Sequence, residues 1–578
     1  MNNAREKIRV AVAAWEIGRN RSGFGAKVGG LGVVVEELPP ELVKVAACDG
    51  IKLEVETLSP CFAQYDRSEM SRLPFDIPVT LDGATFSFAI YERMFREPVT
   101  FADGDTRLVD FRMVYFWDDW LLNWTTDRAL YPSDPRIAAR LYAAVSQAMA
   151  GYIRRGGFNV VHLHDYHVGL IPFYLGDDVL DKLPVHFTVH NASYQGTVPI
   201  GGRGYEFLDS INLPGSLLFH KYFDFFGDLN LMKATMLKVH ENGGRITTVS
   251  GNLEGTWGYA AELRENMGDL MRRASALKGG PPGEVFLPNR HLDLFERLPI
   301  LGITNGMSEK NKAESLPELK AEVLRAIQER QGPHKPLFSN PDVQATMLAR
   351  DHNFTIQRLD TKMELRKLLM REAFGYEFPG FPILFSVVGR LVEQKNLELV
   401  ADIIDPVLTY NNQAKFIILA SAEPDDEKGK SAEKLFEKIS RRLPGRVAFD
   451  NTFNQPLSKL VLAGSDFTLI PSRFEPCGLV DYEAALLGTI PIAHAIGGLV
   501  KTNEFAYLYE WLDVSDGAGE ARVFLQKIKE AIDIIRYDYP RHVERVRKAM
   551  LIDVSWTRSA YQYLQLFRDS IQTKQERG

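Results

Sequence analysis

The 578 residues are enough for two or three domains, and a hydrophobic share of 45% can fill large cores. The 68 basic and 75 acidic side chains nearly balance without long runs of either sign, which argues against nucleic acid as the main partner. Cys48, Cys61 and Cys477 are too few for a disulfide framework and fit a reducing compartment. No apolar run approaches the roughly 18 residues of a membrane span, so we expect a cytoplasmic protein.

Short apolar runs alternate with longer amphipathic ones along the chain, which predicts an α/β fold with parallel sheets. The first strand is predicted at residues 8–14 and is followed by the glycine-rich loop AKVGGLG at 26–32. A helix is predicted next, at residues 33–45, and Pro39 and Pro40 weaken it because proline removes a backbone donor.

The glycine-rich loop can hold a phosphate. Lys27 would meet the phosphate as a point charge, while Gly29 and Gly30 would let the backbone come near it.

Polar clusters close two further predicted strands. The run VVHLHDYH begins at Val160, and the run VHFTVHN begins at Val185 and ends on His190 and Asn191. The first run indicates two alternatives, a metal site or a cluster that binds sugar hydroxyls, and both stay open at this point. Against the metal, no second carboxylate or cysteine cluster nearby completes a zinc sphere around His162, His164, Asp165 and His167.

Two cations follow a β-branched strand predicted at residues 383–389. Arg390 and Lys395 lie within six residues of each other and can clamp a diphosphate, arginine by paired hydrogen bonds and lysine as a point charge. A solvated basic pair is the alternative.

The segment after a strand predicted at residues 466–470 carries two glutamates. Glu475 is placed on the loop and Glu483 about two turns into the following helix, so that one carboxylate can bind a sugar and the other a ribose. The carboxyl edge of a strand beside a helix start is where anionic ligands bind in open α/β sheets. Gly497 and Gly498 open a second backbone-rich turn after the strand at 490–493.

These motifs together resemble a known family, the starch and glycogen synthases. These enzymes are retaining glucosyltransferases of GT-B architecture, with two Rossmann-like domains that face each other across a cleft. The resemblance rests on KVGGL at 27–31, HLHDYH at 162–167, VHN at 189–191, TNG at 304–306, GRLVEQK at 389–395, SRFEPCGL at 472–479 and GGL at 497–499.

The resemblance implies a role for each matching residue. Arg390 and Lys395 would neutralise the leaving nucleoside diphosphate, Glu475 would hold donor hydroxyls and Glu483 the ribose. The resemblance names as catalytic His190, Arg390, Lys395 and Glu475. It names as substrate-binding Glu16, Lys27, Gly29, Gly30, Asp165, Asn191, Asn305, Phe453, Cys477, Gly478, Leu479, Glu483, Gly497, Gly498 and Thr502.

The resemblance also implies the domains and the reaction. The first domain would span residues 1–304, with a helix at 553–578 packed back on it, and the nucleotide-sugar domain would span 305–552, with the active site in the cleft. Glucose would pass from ADP-glucose or UDP-glucose to the non-reducing end of an α-glucan with retention. No cofactor or metal is required in this scheme, because the protein's cations supply the positive charge.

Three departures from the family pattern predict an altered acceptor preference. Val33 and Val480 replace an aspartate and a threonine, and Lys501 replaces an aspartate and so reverses a charge near the expected phosphate turn. We expect maltooligosaccharides to be poorer acceptors here than for an ordinary glycogen synthase. The alternatives are an enzyme like the α-1,3-glucan synthases, a non-catalytic glucan- or nucleotide-binding homologue, and a phosphorylase whose pyridoxal phosphate lysine the sequence does not place.

Overall fold

The chain divides into two compact units. The computed structural model describes residues 7–18, 30–101, 104–125, 130–266, 294–308, 355, 357, 359–375, 382–422, 426–451, 455–511 and 516–577. Unit 1 draws on Met1–Gly268, Leu287–Gly306 and Ser555–Gly578, and unit 2 on Met307–Val554. Lys27, Gly29 and Phe453 lie outside the described residues. No helix in these ranges is long and apolar enough to cross a bilayer.

Unit 1 contains a nine-stranded sheet in the order β12-β11-β7-β6-β1-β2-β5-β4-β3. Pairing is parallel from β12 to β5, and β3, β4 and β5 pair antiparallel. A second sheet of three strands has the order β8-β10-β9. The strands of unit 1 are β1 Lys7–Ala14, β2 Lys52–Pro60, β3 Ser71–Leu81, β4 Ala84–Thr100, β5 Thr106–Trp117, β6 Val160–His164, β7 Val185–Val189, β8 Thr197–Val198, β9 Asp224–Phe225, β10 Asp228–Asn230, β11 Ile246–Thr248 and β12 Ile300–Gly302.

The described helices of unit 1 vary from single turns to long amphipathic segments. They are α1 Gly30–Cys48, α2 Pro135–Gly156, α3 Ile171–Leu175, α4 Asp177–Leu180, α5 Gly204–Ser210, α6 Gly215–Leu218, α7 Leu231–Glu241, α8 Gly258–Ala261, α9 Leu294–Arg297 and α17 Thr557–Arg577. Helix α1 continues through Pro39 and Pro40, because burial of both prolines and of Leu38 and Leu42 offsets the lost hydrogen bonds.

The final helix, α17, lies against the rest of unit 1. The Trp556 indole donates to Glu37 Oε2 at 2.8 Å just before the helix begins, and His186 Nε2 lies 2.8 Å from Ser570 Oγ within it. These buried polar contacts fix the end of the chain to both α1 and the parallel sheet.

Unit 2 contains a six-stranded parallel sheet in the order β15-β14-β13-β16-β17-β18. Counted along the chain this order is 3-2-1-4-5-6, that of dinucleotide-binding folds. The strands are β13 Leu384–Arg390, β14 Lys415–Ser421, β15 Val447–Asp450, β16 Phe467–Ile470, β17 Ile490–His494 and β18 Tyr507–Tyr509. The described helices are α10 Asp360–Phe374, α11 Glu398–Tyr410, α12 Glu427–Arg442, α13 Gln455–Gly464, α14 Val480–Leu486, α15 Gly517–Tyr537 and α16 Tyr539–Met550.

Candidate active site

The direction in which strands are added to the unit 2 sheet reverses between β13 and β16, and the loops after these two strands carry candidate residues. Ligands bind at such a switch point in open α/β sheets, outside the carboxyl ends of the strands. Lys395 Nζ, after β13, forms an ion pair with Glu475 Oε2, after β16. Ser472 Oγ donates to the same oxygen at 3.2 Å. Two groups 80 residues apart in the chain are thus brought into direct contact.

Hydrogen bonds hold the two loops against each other. Arg473 N donates to Gln394 O at 2.9 Å, and the Gln394 side-chain amide donates to Phe474 O at 3.0 Å. Glu475 is only 7% exposed, so Lys395 rather than bulk water compensates its charge. Arg390 is half-buried at the end of β13, at the same edge of the sheet.

The second glycine turn contacts the first loop directly. Gly498 N donates to Glu475 O at 2.8 Å. A Cβ on Gly498 would lie 2.1 Å from Cys477 O, so a larger residue cannot occupy this position without moving the backbone. Gly478 has a φ of +71°, which favours glycine over residues with a side chain. Both glycines are therefore required for the close approach of the two turns.

Several predicted binding residues have their side chains directed into the protein. The Thr502 hydroxyl is buried and donates to Leu499 O at 2.8 Å, so its proton is used within the turn. Cys477 is buried and Leu479 is half-buried ahead of α14. Gly497 is buried and has a φ of +51°.

Lys501, expected to reverse a charge close to the phosphate turn, directs that charge to a buried carboxylate and two carbonyl oxygens of unit 2. Lys501 Nζ forms an ion pair with the fully buried Asp481 and donates to Cys477 O at 2.6 Å and Gly478 O at 2.9 Å. Burial raises the pKa of Asp481 to about 6, and the charge of Lys501 opposes this shift. The signal that could have found this pair is a lysine in an otherwise apolar segment, since a buried ammonium needs a carboxylate partner.

The position of Glu483 also differs from the prediction. Helix α14 begins at Val480, so Glu483 lies in its first turn and not about two turns into the helix. The reason is that the loop extends through Gly478, whose left-handed backbone prevents an earlier helix start. Glu483 is half-buried.

The sheet of unit 1 has its own switch point, between β1 and β6. Glu16 follows β1 and Asp165 follows β6, and both side chains are buried. Asp165 has a φ of 61° and a ψ of 166°, a conformation that costs free energy for a residue other than glycine. Two contacts hold it there, namely Asp165 N donating to Thr188 O at 3.0 Å and His190 N donating to Asp165 Oδ1 at 2.8 Å.

The environment of Asp165 favours its neutral form. Burial raises the pKa of Asp165 to about 7, and the negative charge of Glu16 adds to this effect, although the N–H of His190 opposes it. A buried carboxyl group with a shifted pKa beside a switch point marks a candidate functional site.

The histidines at the end of β6 and just after β7 form a buried neutral network. His164 Nδ1 lies 2.8 Å from His190 Nε2, and His162 Nε2 lies 2.7 Å from Thr188 Oγ1. Burial lowers the pKa of His164 to about 3 and that of His190 well below its usual value. Among the described residues, no group of three His, Cys, Asp or Glu side chains could hold a metal ion.

The remaining predicted residues of unit 1 lie at the ends of elements. Gly30 is exposed at the start of α1. Asn191 is half-buried, and its Oδ1 accepts from Ser193 N at 2.9 Å. Asn305 is buried after β12, with its Oδ1 unpartnered among the described residues.

We expect the variant Asp165→Asn to gain thermal stability relative to the native chain as pH rises. The folded pKa of about 7 exceeds the ordinary value of about 3.9, so ionisation of Asp165 costs folding free energy, increasingly from about pH 4 and fully above pH 7. The difference in Tm between variant and native chain should therefore be larger at pH 8 than at pH 5. Asp178→Asn is the control, because Arg154 lowers the pKa of Asp178, so this carboxylate stays ionised from pH 5 to pH 8 and the difference in Tm should not change. Equal differences at both pH values would contradict the prediction.

Comparison with known proteins agrees with this geometry. Residues 9–267 match the starch synthase catalytic domain, and residues 372–507 match the glycosyl transferases group 1 family. A glycogen synthase of Desulforudis audaxviator is 28% identical over 574 residues, which cover 96% of each chain. The chain is thus similar to a glycogen synthase along almost its whole length. It is therefore a glycosyltransferase, and the resemblance carried by the sequence motifs is confirmed.

A further relative and a solved structure extend the similarity. A glycogen synthase of Francisella tularensis subsp. novicida is 27% identical over 423 residues, 71% of this chain and 72% of that one. The catalytic domain of starch synthase IV from Arabidopsis thaliana, bound to ADP and acarbose, superposes with a TM-score of 0.70. It is 21% identical and covers 98% of this chain and 100% of its own. The predicted fold class, α/β with GT-B architecture, is confirmed.

Proposed function

We propose that this chain moves glucose from a nucleoside diphosphate glucose to the non-reducing end of an α-glucan, with retention at the anomeric carbon. The observation that carries the proposal is the Lys395–Glu475 pair at the switch point of unit 2, beside Arg390. A cation pair at this edge suits a diphosphate, and a buried carboxylate beside it suits sugar hydroxyls. The names of the relatives, glycogen synthases, support the same donor and acceptor classes.

The chemistry is governed by charge. As the glycosidic C–O bond breaks, negative charge develops on the departing diphosphate and positive charge on the anomeric carbon. Arg390 and Lys395 would stabilise the diphosphate, and the ion pair with Glu475 holds Lys395 in place before the donor arrives. Retention requires the acceptor hydroxyl to enter on the face from which the diphosphate leaves, and a diphosphate oxygen can accept its proton.

The other roles follow from position. Glu475 would hold donor hydroxyls. Glu483, which lies in the first turn of α14, would hold the ribose. In unit 1, the side-chain oxygen of Asp165 accepts the N–H of His190 and so holds that peptide in place. The neutral His190 ring would face the sugar without repelling a developing positive charge. The proposal requires no metal or cofactor, because Arg390 and Lys395 supply the positive charge that a divalent cation would otherwise provide.

The test is transfer from ADP-glucose, UDP-glucose and other sugar nucleotides, each with and without maltooligosaccharide. We expect release of the nucleoside diphosphate to require acceptor and to be fastest with one of the two glucose donors. Nucleotide binding without turnover would instead indicate a non-catalytic homologue. Absorbance of a bound pyridoxal phosphate would indicate a phosphorylase. The similarity to glycogen synthases does not favour the α-1,3-glucan synthase alternative.

We expect Val33→Asp to improve maltooligosaccharide as an acceptor. Val33 is half-buried in the first turn of α1 and cannot accept a hydrogen bond from a sugar hydroxyl. One such bond contributes about 0.5–1.5 kcal/mol, which corresponds to a rise in kcat/KM for the acceptor of roughly 2- to 12-fold. Val34→Asp, on a buried neighbour, is the control and should only destabilise the fold. An unchanged acceptor kcat/KM in Val33→Asp would show that the valine does not limit acceptor use.

A further inference from the structure

The turn that carries Glu475 is held from the inside by a buried lysine. The Lys501 side chain is 2% exposed and that of its partner Asp481 is 0% exposed. An ammonium group has three N–H donors, and here they point to Asp481 Oδ2, to Cys477 O at 2.6 Å and to Gly478 O at 2.9 Å. The charge of Lys501 is thus fully used within unit 2.

The two carbonyl contacts determine how this turn presents its backbone. In a trans peptide the N–H points away from the carbonyl oxygen of the preceding residue. Because the oxygens of Cys477 and Gly478 face Lys501, the N–H groups of Gly478 and Leu479 face the opposite side. Lys501 therefore sets the orientation of both peptides.

The same short turn also holds the other end of the loop. Gly498, three residues before Lys501, donates its N–H to Glu475 O at 2.8 Å. One 3-10 turn, Gly497–Thr502, thus fixes the backbone on both sides of Pro476. The Glu475 carboxylate that pairs with Lys395 extends from this fixed backbone.

Stability alone does not account for the pair. A buried ion pair is often no more stabilising than apolar side chains of similar volume, because two charges must be desolvated. What apolar side chains cannot do is donate hydrogen bonds to two carbonyl oxygens and so dictate the direction of two peptides.

We propose that Lys501, paired with Asp481, is a positioning residue that orients the Glu475–Leu479 turn for a diphosphate-linked sugar donor. This inference rests on the proposed function. Lys501 does not touch the donor. It acts through the peptides of Cys477 and Gly478 and through the backbone that carries Glu475.

The test compares two matched double variants. Lys501→Met/Asp481→Asn removes the positioning pair, whereas Arg366→Met/Asp466→Asn removes another buried ion pair of unit 2, with side chains 9% and 8% exposed. Asp466 directly precedes the amino end of β16, whereas Glu475 lies in the loop after the carboxyl end of the same strand. Asparagine keeps an acceptor for Leu384 N, which Asp466 Oδ2 binds at 2.8 Å. Both variants should lower Tm.

Only the Lys501 variant should change donor recognition. We expect its kcat/KM for the glucose donor to fall about 10- to 100-fold, which is the loss in rate expected when a binding group is displaced by about 1 Å. Its affinity for ADP or UDP, measured by calorimetry, should fall in parallel. The Arg366 variant should stay within about twofold of the native chain in both measurements. A Lys501 variant within that same twofold range, or an equal loss in both variants, would overturn the proposal.

Failure of the proposed function would be distinguishable. If the native chain transfers glucose from no sugar nucleotide, the proposed function fails, and the affinities of the two variants for ADP and UDP still decide the role of Lys501. If the native chain binds neither nucleotide, the positioning proposal is overturned as well.

Discussion

Replacing Arg390 or Lys395 with alanine should lower kcat for glucose transfer by on the order of 10²- to 10³-fold, the usual effect of removing a preorganised group that stabilises charge in the transition state. Both cations lie at the carboxyl end of β13, and Lys395 is held by Glu475. Steady-state kinetics with saturating donor and maltooligosaccharide would measure the loss.

A surface lysine of the same unit provides the control for these variants. Lys428 is 81% exposed and pairs with Glu393 at 3.3 Å, so Lys428→Ala should leave kcat nearly unchanged. EDTA should not lower the activity of the native chain, because the clamp supplies the charge that a metal would provide. Near-native turnover of Arg390→Ala, or loss of native activity in EDTA, would refute the metal-free clamp.

The two glutamates should affect different kinetic parameters. Glu475→Gln keeps the size of the side chain but leaves Lys395 without its ionic partner, so we expect kcat to fall on the order of 10²-fold or more. Glu483→Gln should mainly raise KM for the donor, by up to about tenfold, since one hydrogen bond to the ribose contributes roughly 0.5–1.5 kcal/mol.

The split between kcat and KM is the informative result. Glu504→Gln is a suitable control, because Glu504 is exposed in the loop before β18. If Glu475→Gln and Glu483→Gln change both parameters equally, the assignment of one carboxylate to glucose and the other to ribose has no support. A fall in Tm without a kinetic change in Glu483→Gln would identify that residue as part of the helix structure only.

Local sequence patterns were sufficient for most elements of the parallel sheets. The strand predicted at 383–389 forms as Leu384–Arg390, and the one at 466–470 forms as Phe467–Ile470. Their β-branched and aromatic residues favour extended backbone wherever they are buried. The sequence also predicts a glycine turn at 497 and 498, but the contact with Cys477 that requires glycine at 498 arises only on folding.

Pairing between strands that are distant in the sequence was harder to predict from local sequence patterns. The antiparallel extension of β3, β4 and β5 was not predicted, although it adds three long strands to the edge of the unit 1 sheet. Its strands mix exposed charged residues with apolar ones, and such a pattern becomes a sheet only through cross-strand partners that lie far away in sequence.

Residue types at short spacing were enough to predict the resemblance to the starch and glycogen synthases, the parallel α/β fold and the motifs at the strand ends. Which of the charges a ligand can reach depends on the folded arrangement of the chain. Lys395 pairs with Glu475 at the sheet edge, whereas Lys501 points inward to Asp481 and two carbonyl oxygens. In the sequence both are lysines beside glycine-containing turns. They differ because the free energy of a charge depends on its burial and on neighbours brought near by folding, and sequence spacing contains neither.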